Sequence, residues 1–160
     1  RVVCNNTLTL SLSQNADKMV TVNHRKAFDP AEVKEHMGIA NEKMQEYKSM
    51  AAFLGSKKAT GDNVIQYFNE VFGSPAKEKV EGVLPFTTRN AKLAYENLDV
   101  QPGAEFAQGT WWTAFNSVTN MTDHLQGRSN DGRLVSSWYG RNRKVKLNAL
   151  DKALEYADAA

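Results

Sequence analysis

Asn116, Thr119, Asp123 and His124 bring an amide, a hydroxyl, a carboxylate and an imidazole together within nine residues. Trp112, Asn116, Thr119 and Asp123 recur at spacings of four, three and four, which aligns them along one side of an α-helix. Asn120 lies close to that stripe. Such a stripe has two readings. It is a solvated face, or it is a polar network that fixes neighbouring elements or lines a groove, because an unpaired buried amide or carboxylate costs about 1–3 kcal/mol. Adjacent residues on a regular helix point about 100° apart, so Asp123 and His124 do not chelate one metal by themselves. His124 reads as a hydrogen-bonded structural histidine. His24 ends a predicted strand, and His24, Asp123 and His124 are the residues a hydrolase or metal enzyme would need. The sequence holds no serine-nucleophile elbow, phosphate loop or glycine-rich dinucleotide motif. No catalytic residue, metal or cofactor is assigned.

A second constellation is basic. Residues 128–146 hold Arg128, Arg133, Arg141, Arg143, Lys144 and Lys146 against Asp131, six cations against one anion, a net +5. Trp138 and Tyr139 lie among them. Cations interleaved with aromatics suit a phosphate backbone and stacked bases, so single-stranded or duplex DNA is the partner this segment suggests. The alternative is a solvated helix start with its aromatics in the core. Basic charge at the start of a helix opposes the helix dipole, which an outside anion relieves.

These groups need elements to hold them. Trp111, Phe115, Val118, Met121 and Leu125 recur at four, three, three and four, so residues 109–127 read as a helix with an apolar face beside the polar stripe. Thr110 can cap it and Gly127 can end it. The expectation is a central helix covered on two sides. Upstream, Asp29-Pro30 starts a helix running to residue 57, about 42 Å long. Its seam of Val33, Met37, Ala40, Met44, Tyr47, Ala51 and Leu54 alternates four and three. That seam is either the spine of a helical domain or a coiled-coil face that would make a homo-oligomer. Thr60 can cap a further helix burying Val64, Ile65, Phe68, Val71 and Phe72. Thr87 or Thr88 can cap another, with Ala91, Leu93, Ala94, Tyr95 and Leu98 as its apolar face. Residues 75–85 read as a loop. Leu134, Val135 and Trp138 point inward if residues 133–139 are helical, and a last amphipathic helix follows Arg141.

Before residue 25 the pattern changes. Residues 1–4 and 19–24 read as strands, and residues 7–13 as either a strand or a short helix. The whole is expected to be mainly α, about five helices in a body over residues 29–160, with a small N-terminal β element over residues 1–25, hence α+β overall. A length of 160 residues suits one domain, and a net charge of +2 does not by itself argue for nucleic acid. Cys4 is the only cysteine, which excludes an internal disulfide and fits a reducing, cytoplasmic compartment. No run of 18 apolar residues predicts a membrane span. The chain opens on Arg1 with an orphan strand, so a piece of a longer protein is expected.

RVVCNNTL at residues 1–8, His24, the Thr60 helix start, GTWWTAFNSVTNMTDH at residues 109–124 and YGRNRKVKLNAL at residues 139–150 stand in a characteristic order. In these motifs the chain resembles the phage/plasmid-like proteins, a prokaryotic and viral domain of unknown function. The resemblance implies a C-terminal portion, a phage, prophage or plasmid origin in a host cell, and no established activity. It marks Arg1, Cys4, Asn6, His24, Gly109, Thr110, Trp112, Asn116, Asp123, His124, Gly140 and Lys144 as matched positions. Trp111-Trp112 departs from it, since one aromatic would satisfy the pattern.

Overall fold

The computed structural model describes residues 30–73, 85–126 and 129–160. Among them run six α-helices: α1 (Pro30–Ser56), α2 (Gly61–Phe72), α3 (Arg89–Glu96), α4 (Trp111–Asn120), α5 (Asn130–Tyr139) and α6 (Arg141–Asp158). A 3-10 turn, Ala104–Phe106, precedes α4, and a π-helical turn, Met121–Leu125, prolongs it. The mainly α expectation holds, with α5 as a helix in its own right. No strand occurs among the described residues, so they lend no support to the β element expected over residues 1–25. That element, His24, Arg128, Gly127 and most of the loop expected at 75–85 lie outside them.

Helix starts follow local chemistry at two places. Thr88 caps α3 by accepting from the Ala91 N–H at 3.1 Å, and Ser129 caps α5 by accepting from the Gly132 N–H at 3.1 Å. Thr60 and Thr110 occupy N-cap positions, but neither hydroxyl caps its helix. Thr110 Oγ1 donates instead to the Ala107 carbonyl at 2.6 Å. The entry to α4 is held by backbone. The Trp111 N–H donates to Lys57 O at 3.1 Å, and Ala59 N–H donates to Gly109 O at 2.9 Å. Gly109 makes this possible with φ of +71°, a left-handed conformation that costs other residues about 1–2 kcal/mol.

Helix α4 is the centre of the bundle, in contact with α1, α3 and α6. Trp111, Ala114, Phe115, Val118 and Met121 are all buried in one apolar cluster with Leu54 of α1, Tyr67 and Phe68 of α2, and Ala149 and Ala153 of α6. Each large side chain there contributes about 1.5–3 kcal/mol by leaving water. Trp111 stacks on Tyr156, centroids 5.1 Å apart, with Tyr67 edge-on at 5.5 Å. Trp112 packs edge-on against Tyr47 of α1 at 5.9 Å. The two adjacent rings therefore serve two different walls. Tyr47 and Leu54 are buried inside this chain, so the C-terminal end of the α1 seam is a spine.

The opposite side of α4 is buried through polar groups. Ser117 Oγ donates to the Ala94 carbonyl of α3 at 2.6 Å and accepts from Asn97 Nδ2 at 3.3 Å. Gln101 Nε2 donates to the Thr113 carbonyl at 2.9 Å. Double coverage of α4 is therefore correct. Five apolar side chains expected on buried faces are not covered: Leu93 and Tyr95 of α3 are exposed. Leu125 is 51% exposed, and Leu134 and Val135 are exposed as well. The side of α5 that meets the π turn carries Ser137, which donates to Asp123 Oδ1 at 2.6 Å, so its aliphatic residues face elsewhere.

Candidate functional site

The π turn decides where the polar stripe goes. Thr119 Oγ1 donates back to Asn116 O at 3.0 Å, and Thr122 Oγ1 donates back to Thr119 O at 2.9 Å. Hydroxyls bonded this way compete with the regular ladder. Asn142 Nδ2 of α6 then takes the Thr122 carbonyl at 2.9 Å. In an α-helix that carbonyl would serve the Gln126 N–H. Gln126 instead donates to Met121 O at 2.8 Å, the i→i+5 bond of a π turn. The extra residue in the turn shifts the phase of everything after Asn120.

The stripe therefore divides at its end. Asp123 leaves it and turns towards α5 and α6, where Lys146 Nζ and Ser137 Oγ both meet its Oδ1. Lys146 is 0% exposed. This corrects two expectations: Lys146 does not face a phosphate, and Asp123 does not line the groove. The reason is electrostatic, since a carboxylate turned inward demands a cation and Lys146 supplies it. Burial pushes the Lys146 ammonium below its usual range, and Asp123 opposes that shift.

His124 takes the place in the stripe that Asp123 vacates. With Trp112, Asn116, Thr119 and Asn120 it lines a cleft of about 400 Å³ closed on its other side by Gln101 and Phe106 of the loop before α4. Gly103, with φ of +86°, turns that loop. His124 is exposed and has contacts of its own, as does Asn116. Asp123 and His124 thus serve opposite sides of the turn, an arrangement unlike a shared acid–base pair. Among the described residues no three His, Cys, Asp or Glu side chains gather as a metal site would require.

A second cleft, about 720 Å³, opens where α3, α5, α6 and the end of the π turn meet. Arg133, Ser136, Arg141 and Asn142 line it, and among the described residues no Asp or Glu does. Arg133 is anchored by its guanidinium to Asn130 Oδ1 and, at 3.5 Å, to the Gln126 carbonyl. Arg141 is exposed at the start of α6, whose first turn carries no acidic residue and whose N-cap is Gly140. The Asn142 N–H donates to Ser136 Oγ at 3.1 Å. Of the other expected phosphate ligands, Lys144 is exposed, and Arg143 is half-buried with contacts of its own. The spacing of basic residues pointed to this cleft, but Ser136 and Asn142 carried no signal, because a serine and an asparagine in a helix are ordinary surface residues.

The fold and its two clefts define a mainly helical domain organised around one polar helix broken by a π turn. The chain belongs to the family described as a domain of unknown function, DUF932, whose model matches residues 1–153. No curated protein and no solved structure matches it. No helix among the described residues is long and apolar enough to cross a membrane.

Proposed function

We propose that this chain is a non-enzymatic nucleic-acid-binding module that holds backbone phosphates in the Arg133–Arg141 cleft. The observation that carries this reading is the convergence of two guanidinium groups and the start of the 18-residue α6 on one cleft that no carboxylate lines among the described residues. Ser136 Oγ already takes the Asn142 N–H, and what the start of α6 adds is the positive end of its dipole, which favours phosphate oxygens. Lys144, exposed one turn along α6, extends the same positive surface. The resemblance to phage/plasmid-like proteins motivates the finer proposal that the DNA served belongs to a mobile element undergoing replication or recombination in the host cytoplasm.

Fluorescence anisotropy with a labelled single-stranded oligonucleotide and the full chain tests this. Binding should weaken steeply as salt rises, because each neutralised phosphate releases counterions. An Arg133→Gln/Arg141→Gln variant should bind at least about tenfold more weakly. Absence of binding to single-stranded and duplex DNA at low salt disposes of the reading.

A further inference from the structure

We infer that the cleft between the 101–107 loop and α4 is a binding pocket for an uncharged, planar heterocycle of the nucleobase class. Its volume of about 400 Å³ lies within the small-molecule range. Among the described residues no Asp, Glu, Lys or Arg lines it and His124 is its one titratable side chain, so the lining suits an uncharged ligand. Its polar groups are specific. Asn120 is only 9% exposed, yet it lines the pocket, and none of the hydrogen bonds among the described residues engages its side-chain amide, which opens on the cleft. Buried amides are ordinarily paired, and this one presents a donor and an acceptor in one plane.

Gln101 adds a fixed acceptor. Its Nε2 donates to Leu98 O at 3.0 Å and to Thr113 O at 2.9 Å. Both amide hydrogens are thereby used, and Oε1 is left for a ligand. Aromatic faces complete the chemistry: Phe106 is 87% exposed on the loop, and Trp112 is half-buried on the helix. A flat ring with donors and acceptors on its edge pairs with the two amides and stacks on the rings. An aliphatic ligand would leave the Asn120 amide unused, and a free phosphate would meet no lysine or arginine among the described residues.

The pocket lies across the π turn from the arginine cleft, so a base binds here whether or not phosphates bind there. The probes are therefore uncharged. The full chain is titrated with adenosine, guanosine, cytidine, thymidine and uridine by isothermal titration calorimetry. At least one nucleoside should bind saturably at about 1 mM or tighter. Asn120→Leu and Phe106→Ala should each weaken it about tenfold, and Arg141→Gln should leave it unchanged. Asn120→Leu removes an amide that no hydrogen bond among the described residues engages, so its melting temperature should equal or exceed that of the parent. No binding of any of the nucleosides at about 10 mM overturns the inference. So does binding that survives both pocket variants, or binding lost with Arg141→Gln. Should Asn120→Leu fail to fold, Phe106→Ala, at an exposed position, decides alone.

Discussion

Lys146 of α6 forms a buried ion pair with Asp123 of the π turn, joining two elements that are 23 residues apart in the chain. Desolvating both charges costs free energy that their mutual attraction and the Ser137 hydrogen bond to Asp123 offset. Removing one partner should therefore hurt more than removing both. Asp123→Leu alone is expected to lose about 3 kcal/mol. In a Lys146→Met background the same change should cost less than about 1 kcal/mol. Urea unfolding of the double-mutant cycle measures this, and equal costs in the two backgrounds would show that the pair is not coupled.

Ser117 should matter for the same reason with smaller magnitude. Its hydroxyl joins Ala94 O to Asn97 Nδ2 at the α3–α4 contact, where both side chains are buried. Ser117→Ala leaves those groups with one partner fewer. A loss of about 1–2 kcal/mol in thermal or urea unfolding is expected. An unchanged midpoint would show that α3 is not held to α4 through this serine.

Alkaline pH should unfold the protein through its aromatic cluster. Burial pushes the Tyr67 phenol far above its ordinary value of 10.0. Burial, followed by the nearby Glu70 carboxylate, pushes Tyr156 up to about 12. Both groups keep their protons in the fold and release them above pH 10 when unfolded. The stability they contribute is thus fully present below about pH 10 and is lost as pH rises beyond it. Lys146 acts in the opposite sense: its lowered value lets the fold release a proton sooner than the unfolded chain, so rising pH favours the fold up to about its ordinary 10.5. Urea midpoints between about pH 8 and 11.5 should fall above pH 10.5. Tyr67→Phe should flatten that fall while losing about 1 kcal/mol at pH 8, since its hydroxyl donates to Ala149 O at 3.0 Å.

The burial of Lys146 also discriminates among the basic residues. If phosphates bind along the arginine cleft, Arg141→Gln should reduce the salt slope of DNA binding by about 1. Lys146→Met, checked for folding by circular dichroism, should leave that slope unchanged, because its ammonium is turned inward to Asp123. A slope that falls equally in both variants would return Lys146 to the surface.

Much of this molecule was already determined by the order of its residues. Local spacing predicts the long helix from Pro30, the Thr88-capped α3, the apolar face from Trp111 to Met121 and the last helix from Arg141, because periodicity and caps act within a turn or two. The amide and hydroxyl stripe of α4 was legible for the same reason. What only the tertiary structure decided begins at Thr122. A side chain from α6, Asn142, claims a carbonyl of the preceding helix and forces a π turn, a contact that no period within the helix could announce. With the back-bonds of Thr119 and Thr122, that long-range bond accompanies a turn in which Asp123 points inward to Lys146 and His124 lies in the groove. It parts Asp123 from the stripe on which a regular helix would have kept it and puts His124 there instead.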